Sequence, residues 1–188
     1  MEFREVIEMR HSCREFRPDP VPREVLDRLV HAAAMAPSAM NSQPAHLHIA
    51  TGEVRDRVTA IMAQTTHHLQ EYVELLPEDH LEAAARFFGT LGDAPVVVAM
   101  SVPETTDELE RINEMIAAGC ATQNILLSAT DEGLAACNIT FGFWVRDQLA
   151  EAFEVGAERE IVGLIVLGYS SAEPESPPHR SDIAEYVG

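Results

Sequence analysis

Two long apolar runs constrain the fold of this chain more than any other feature of its sequence. Residues 94–102 read APVVVAMSV, and residues 160–169 read EIVGLIVLGY. Both runs are rich in β-branched residues and lack polar alternation, which predicts strands that are buried on both faces. Because such strands need helices on either side, we expect a layered sheet of the α/β or α+β class.

Helices and shorter strands are predicted around these two runs. The shorter strands are expected at 46–51 and 136–140. Apolar residues at helical spacing predict helices at about 2–9, from Pro22 to Pro37, at 53–64, 79–91 and 107–131, and over 146–153, with a weaker helical pattern between 64 and 79. Gly133 is the expected C-cap of the longest helix. In the helix after Pro22, one buried stripe is predicted, formed by Val25, Leu26, Leu29, Val30 and Ala33. In the longest helix, Ile112, Met115 and Ile116 are among the residues spaced for packing.

The chain shows neither an internal repeat nor a second domain. We therefore expect residues 1–188 to form a single domain. Residues 170–188 are polar and proline-rich until Ile183–Val187, and we interpret them as a C-terminal extension rather than a linker.

The charge and cysteine content exclude several classes of function. The formal net charge is −18, and all 13 cationic residues are arginine, so a nucleic-acid partner or an anionic membrane surface is not expected. No apolar run approaches the ~20 residues of a membrane helix, and the first ten residues lack the apolar core of a secretory signal. Three cysteines without metal-ligand spacing indicate reduced thiols and a cytoplasmic location.

Residues 10–14, which read RHSCR, concentrate anion-binding groups in an acidic chain. Arginine presents a rigid fork of donors that matches phosphate oxygens, and a serine hydroxyl adds another donor. The alternative is a solvated loop whose arginines pair with Glu5, Glu8 or Glu15. From these residues alone the two interpretations are about equally supported.

Two further segments are weaker signals. Residues 36–44, APSAMNSQP, offer Asn and Gln amides that can pair with the polar edge of a planar heterocycle. Residues 178–180, PHR, place two basic side chains in the acidic C-terminal extension. Taken singly, an ordinary turn and a solvated tail explain these segments better.

The order of the motifs resembles the nitroreductase family over nearly the whole chain. RHSCREF near residue 10, PV at 20–21 and APSAMNSQP at 36–44 match the N-terminal signature. GDAPVVVA at 92–99, ATQNILLSA at 121–129 and VGLIVLGY at 162–169 follow in the same order, and PPHR and then IAEYV close the match. The first two motifs are specific, and the later stretches are weak individually.

This resemblance implies an α+β, nitroreductase-type fold. Its central, mostly antiparallel sheet is flanked by helices, and its C-terminal extension wraps the partner subunit. It also implies a homodimer that binds FMN at the subunit interface and uses NAD(P)H as the reductant. Electrons are then expected to pass, in a ping-pong cycle, to nitroaromatic, quinone or similar electron-poor small molecules.

The resemblance assigns one group of cofactor-binding residues to each chain's own FMN. Arg10, Ser12 and Arg180 match the positions that hold the phosphate. His11 and Arg14 are expected to reach the phosphate, the ribityl chain or the pyrimidine side.

A second group of residues is implied on the ring side of the cofactor. Pro37, Ser38 and Asn41 match positions that the other subunit supplies. The turn around Thr140 and Phe141 matches a backbone contact near flavin N5. Neither a catalytic side chain nor a metal is expected, because the flavin carries the chemistry.

The sequence departs from the family pattern at two positions. Ala45 stands where an aromatic residue is usual, and Pro178 where a lysine often precedes the last arginine. A flavin-binding storage or regulatory protein with little turnover is therefore one alternative. A specialised reductive dehalogenase or flavin-fragmenting relative is another, although residues 62–92 show no feature of a dedicated lid.

Other chemistry-bearing residues are interpreted as structural. His46 and His48 share one face of a strand, but a third metal ligand is not evident. The pair at 67–68 is expected on a solvated helix face, and Cys13 as a packed side chain. Phe87, Phe88 and Trp144 are expected in the core or an interface.

Overall fold

The structure is a computed structural model that describes residues 1–72, 78–172, 179–180 and 182–187. Its helices are Phe3–Met9 (α1), Arg23–Ala34 (α2), Gly52–Ala63 (α3), Glu78–Thr90 (α4), Glu108–Asp131 (α5) and Arg146–Ala152 (α6). Its strands are His46–Ala50 (β1), Val96–Pro103 (β2), Ala135–Ile139 (β3) and Arg159–Gly168 (β4). The predicted elements are confirmed to within a few residues at each end, and the weak pattern after α3 forms a 3₁₀ segment, Gln64–Tyr72.

The four strands form one sheet in the order β1-β2-β4-β3, and every neighbouring pair is antiparallel. The two long apolar runs are the two central strands. Their side chains alternate between two cores: Val97 and Ala99 of β2 lie in one, whereas Val96 and Val98 lie in the other. Helices cover both faces, α3 and α6 on one and α2 and α5 on the other. This explains why the central strands lack polar alternation, and the α+β prediction is confirmed.

The ends of the helices follow the expected local chemistry. Asp107 caps α5 by accepting a hydrogen bond from the backbone N–H of Glu110 at 2.9 Å. Gly133 follows α5 with φ 74°, and the next N–H, of Leu134, donates to the carbonyl of Ala129. The predicted glycine C-cap is confirmed.

Two details of the predicted packing are wrong. Val30 was expected in the buried stripe of α2 but is 38% exposed, because it borders a cavity beside the loop that follows the helix. Ile112 and Ile116 of α5 are also exposed. Small residues such as Ala118 and Ala121 bring α5 against the sheet instead, which leaves the isoleucines facing outward.

The C-terminal extension is described only in part, because residues 173–178, 181 and 188 lie outside the described residues. The described residues Ile183, Tyr186 and Val187 are almost fully exposed. Among the residues that the structure describes, no helix is long and apolar enough to cross a membrane.

Candidate functional site

The RHSCR segment lies against the edge strand β3. Ser12 forms a parallel bridge with Ala136, and the N–H of Cys13 donates to the carbonyl of Ala136 at 3.0 Å. Farther along, Phe16 pairs with Ser170 just after β4. These contacts hold the segment beside the beginning of the C-terminal extension.

The donors of this segment converge around the thiol of Cys137. Burial raises the pKa of this thiol, while the positive charge of Arg14, a hydrogen bond to Ser12 and the charge of Arg10 oppose that increase. His11 contacts the carbonyl of Met9 through Nδ1 at 2.9 Å. Two guanidiniums and a hydroxyl therefore act on the same part of β3.

Neither Arg10 nor Arg14 forms an ion pair within the described part of the chain. The structure therefore does not contain the alternative pairing of these arginines with Glu5, Glu8 or Glu15. Arg14 is exposed and Arg10 is half-buried. They offer uncommitted guanidinium donors beside Ser12, whose hydroxyl is hydrogen-bonded to the thiol of Cys137. Guanidinium and hydroxyl groups are the donors that a phosphate dianion requires. We call Arg10, Ser12 and Arg14 the anion cradle.

Gly92 packs against the backbone of the anion cradle at Arg14. It has φ 64°, and its carbonyl accepts a hydrogen bond from the N–H of Phe16 at 2.8 Å. A Cβ at this position would collide with the backbone carbonyl of Arg14. Only glycine permits this close approach, which explains the residue type at the start of the GDAP motif.

Strand β3 runs from the anion cradle to Thr140. Thr140 is four residue steps beyond Ala136, or roughly 13 Å at the rise of an extended strand. Thr140 begins a 3₁₀ turn, Phe141–Val145, in which Phe141 stacks on Phe88 at 4.5 Å. The two predicted ends of the cofactor site therefore lie along one strand edge, with the turn held by aromatic packing.

The loop that contains Pro37, Ser38 and Asn41 has an unusual backbone. Met40, Asn41 and Gln43 all have positive φ, between 50° and 57°. The hydroxyl of Ser38 accepts from the N–H of Gln43 at 2.9 Å, and the side-chain amide of Gln43 donates to Asn41 at 3.2 Å. Left-handed non-glycine residues are uncommon, and three of them within four positions give this loop a particular, strained shape.

The structure does not bring this loop to the anion cradle of the same chain. The loop precedes β1, at one edge and one end of the sheet, whereas Ser12 pairs near the start of β3 at the opposite edge. The antiparallel registers place the two groups at diagonally opposite corners. The three strand spacings between the edges alone correspond to roughly 14 Å.

The described contacts of Arg180 are with Asp182 and not with the anion cradle. Its guanidinium is exposed and forms two hydrogen bonds with the carboxylate of Asp182, at 2.9 and 3.1 Å. Pro178, the predicted departure from the family pattern, lies outside the described residues. The role of Arg180 stays a prediction.

The sequence analysis missed a polar cluster beside Thr140. Glu160 is 9% exposed and forms ion pairs with both Arg111 of α5 and Arg146 of α6. These three residues line an open cavity of about 190 Å³ that also contacts Thr140 and Gly142. We call it the Glu160 cavity. Only the position of Glu160 at the start of an apolar strand could have drawn attention to it.

The two histidines of β1 have structural partners. Their rings are 4.9 Å apart, and Nε2 of His48 lies 3.0 Å from the hydroxyl of Ser101. Burial, followed by the charges of His46 and Arg159, lowers the pKa of His48. Within the described residues, no group of three or more His, Cys, Asp or Glu side chains is placed to hold a metal ion.

Comparison with known proteins yields a family match and close structural neighbours. The model of the nitroreductase family matches residues 7–169. A nitrobenzene nitroreductase from Ectopseudomonas oleovorans is 24% identical, over 96% of this chain and 91% of the relative.

Two solved structures share the fold. One is an FMN- and NADPH-dependent nitroreductase from Sphigopyxis sp. strain HMH, with a TM-score of 0.82, 18% identity and full coverage of both chains. The other is a BluB-like flavoprotein from Clostridium difficile 630, with a TM-score of 0.80, 20% identity and full coverage of both chains.

Proposed function

Because this chain belongs to the nitroreductase family of oxidoreductases, we propose that it binds FMN and transfers electrons from NAD(P)H to small electron-poor acceptors. Nitroaromatics and quinones are the acceptor classes proposed. The anion cradle is the observation that carries the proposal, because it presents two guanidiniums without ion-pair partners among the described residues in a chain with a net charge of −18. The similarity to an FMN- and NADPH-dependent nitroreductase and to a nitrobenzene nitroreductase supports this proposal.

The donor set and its spacing fit FMN. Arg10, Ser12 and Arg14 suit a doubly charged phosphate, with His11 next to them. A ribityl chain would then follow the edge of β3, and the roughly 13 Å to Thr140 suits a flat ring at the Thr140–Phe141 turn. Bound FMN would supply the two-electron chemistry that no side chain here provides.

The residues of the chain have distinct tasks in this proposal. Guanidiniums of the anion cradle bind the phosphate and fix the position of the ring. The packed rings of Phe88, Phe141 and Trp144 hold the turn rigid against it. The proposed order is ping-pong, in which the oxidised nicotinamide would leave before the acceptor binds.

A homodimer is part of the same proposal. One chain separates Pro37, Ser38 and Asn41 from its own anion cradle, but a second copy can present this loop to it. Exposed apolar side chains on α1 and α5, which contact each other, offer a surface for such a copy: Phe3, Ile7, Leu109, Ile112 and Ile116. We also propose that the C-terminal extension wraps the partner and that Arg180 reaches the partner-facing site there.

We further propose a cytoplasmic location and a single domain over residues 1–188. Three free cysteines, two of them buried, suit a reducing compartment. The two cores lie on opposite faces of one sheet, which supports one folding unit.

The test is anaerobic reduction of the purified, FMN-loaded protein. Addition of NADPH or NADH is expected to bleach the flavin absorbance, and a nitroaromatic or quinone is expected to restore it. A yellow protein that neither nicotinamide bleaches would be a storage or regulatory protein instead. A colourless protein that takes up no added FMN would contradict the whole proposal.

A further inference from the structure

The Glu160 cavity is a notch at the edge of the sheet. Strand β3 ends at Ile139, which pairs with Leu164, so residues 160–163 of β4 extend beyond it. The space is closed by α5 on one side and by the 3₁₀ turn and α6 on the other. It opens directly beside Thr140, where we have proposed the reactive ring.

The interior of the cavity is mainly apolar. Buried Ile139, Leu149 and Leu164 line it, together with half-buried Met115. Such a lining suits a flat aromatic body. Polar recognition must therefore come from the rim.

Two guanidiniums from different helices form that rim. Arg111 donates to both carboxylate oxygens of Glu160, and Arg146 donates to one of them at 3.1 Å. The two side chains stay 47% and 43% exposed. Two guanidiniums thus share one buried carboxylate, and both remain partly accessible from the cavity.

Arg146 has donors to spare. Only its Nη1 donates a hydrogen bond within the described residues, and its guanidinium lies 5.8 Å from the centre of the Phe143 ring. Nε and Nη2 are therefore available to a ligand. Glu160 restricts the orientation of the guanidinium, so little side-chain entropy remains to be lost on binding.

We propose that the Glu160 cavity selects acceptors that carry a carboxylate on an aromatic ring, with Arg146 as the principal anion-binding residue and Arg111 as the second. The proposal rests on the proposed function, since the acceptor must reach the ring beside Thr140. The ring of the acceptor contacts the apolar lining, and its carboxylate accepts hydrogen bonds from the rim. Arg146 and Arg111 are then specificity-determining residues.

Glu160 has a double role in this arrangement. It positions both guanidiniums, and it also competes with the acceptor's carboxylate for their donors. Glu114 of α5, whose carboxyl pKa is raised by burial and then by the charges of Glu110 and Glu160, lies close enough to feel the same charges. Replacing Glu160 with a neutral side chain is therefore expected to strengthen the preference for an anion.

The experiment compares two acceptors of nearly equal shape, 4-nitrobenzoate and the neutral 4-nitrobenzamide. The quantity measured is the ratio of their kcat/KM values with FMN-loaded protein. We expect the wild-type ratio to exceed one and the ratio in Arg146→Gln to be about tenfold lower, as for the loss of a charged hydrogen bond. Glu160→Gln is expected to raise the ratio. Arg23→Gln, at an exposed arginine of α2 paired with Asp27, is the matched control and should leave the ratio unchanged.

The outcomes separate this inference from the proposed function. If flavin-loaded protein reduces neither acceptor nor any quinone, the proposed function fails and this inference fails with it. If both acceptors are reduced but Arg146→Gln leaves their ratio unchanged, the inference alone is overturned. Loss of FMN from Arg146→Gln would assign the guanidinium to the cofactor and would also overturn the inference.

Discussion

Arg10 and Arg14 differ from most arginines of the chain in having no carboxylate partner among the described residues. Seven others, including Arg23 and Arg28, are paired with acidic side chains. An excess of carboxylates makes it easy to neutralise a surface arginine, so two that stay unpaired beside one strand point to an external anion. The local charge, and not the net charge, determines what binds there.

Arg10→Ala is expected to weaken FMN binding by about 1.5–3 kcal/mol, the range for hydrogen bonds to charged groups. The measurement is the dissociation constant from quenching of flavin fluorescence. Arg23→Ala serves as the control, because that guanidinium is committed to Asp27. An unchanged dissociation constant in Arg10→Ala would remove this residue from the site.

His48 is expected to make the protein less stable as the pH falls. Its pKa in the folded protein is lowered, mainly by burial, from 6.5. The unfolded chain therefore binds a proton at His48 more strongly than the folded chain does. The free energy of unfolding decreases as the pH drops below about 6.5.

This pH dependence can be measured by urea unfolding at about pH 7.5 and 5.5. His48→Gln keeps a partner for Ser101 but cannot titrate, so its stability should fall less between the two conditions. All other titrating groups are the same in the two proteins, so subtracting one change in unfolding free energy from the other leaves the contribution of His48. Identical decreases in both proteins would contradict the assignment to His48.

At the scale of elements, the turn between α4 and β2 determines where the anion cradle lies. Leu91, Gly92 and Asp93 all have positive φ, so the chain reverses tightly and brings Gly92 against the backbone of Arg14. The N-terminal segment has little regular structure of its own. Its position depends on backbone contacts to β3, to this turn and to the residues after β4.

Gly92→Ala is expected to destabilise the protein by at least about 1–2 kcal/mol, because alanine is strained at positive φ and its Cβ would displace Arg14. FMN binding should weaken as well. Gly89→Ala is the matched control on α4: its Cβ would meet open space, and alanine favours a helix by about 0.5–1 kcal/mol. Thermal unfolding and FMN titration of both variants test the pair, and equal effects would refute the role of Gly92.

At the scale of the whole molecule, the two groups of residues proposed to bind FMN cannot meet within one chain. The anion cradle and the strained loop lie at diagonally opposite corners of the sheet. An exposed apolar row of Leu109, Ile112 and Ile116 follows one side of α5. A two-fold dimer would cover this row and complete two sites at once.

Ile116→Asp is expected to break the dimer, because burying an unpaired carboxylate costs several kcal/mol. The dimer dissociation constant should rise at least about 100-fold, and FMN should bind more weakly in parallel. Val54→Asp, at an exposed position of α3 on the other face of the sheet, is the control. Light scattering and FMN titration over a range of protein concentrations test both variants. A wild-type protein that is monomeric and still binds FMN with full affinity would contradict a site formed by two chains.

Most of the local structure was predictable from the sequence. Apolar periodicity and the proline and glycine positions located the helices and strands, because these patterns depend on neighbours a few residues apart. The motif order identified the family and the candidate residues. Val30, Ile112 and Ile116 were misassigned because spacing shows that a face is apolar, not which molecule covers it.

Long-range placement was decided only by the tertiary structure. Arg111, Arg146 and Glu160 are distant in sequence and meet because β3 ends earlier than its neighbour, a consequence of strand register. The anion cradle acquires its shape from backbone contacts to β3 and Gly92, which no local pattern encodes. The sequence by itself determined the elements, the family and the residues able to bind an anion, whereas packing between distant segments determined which of them face the same space.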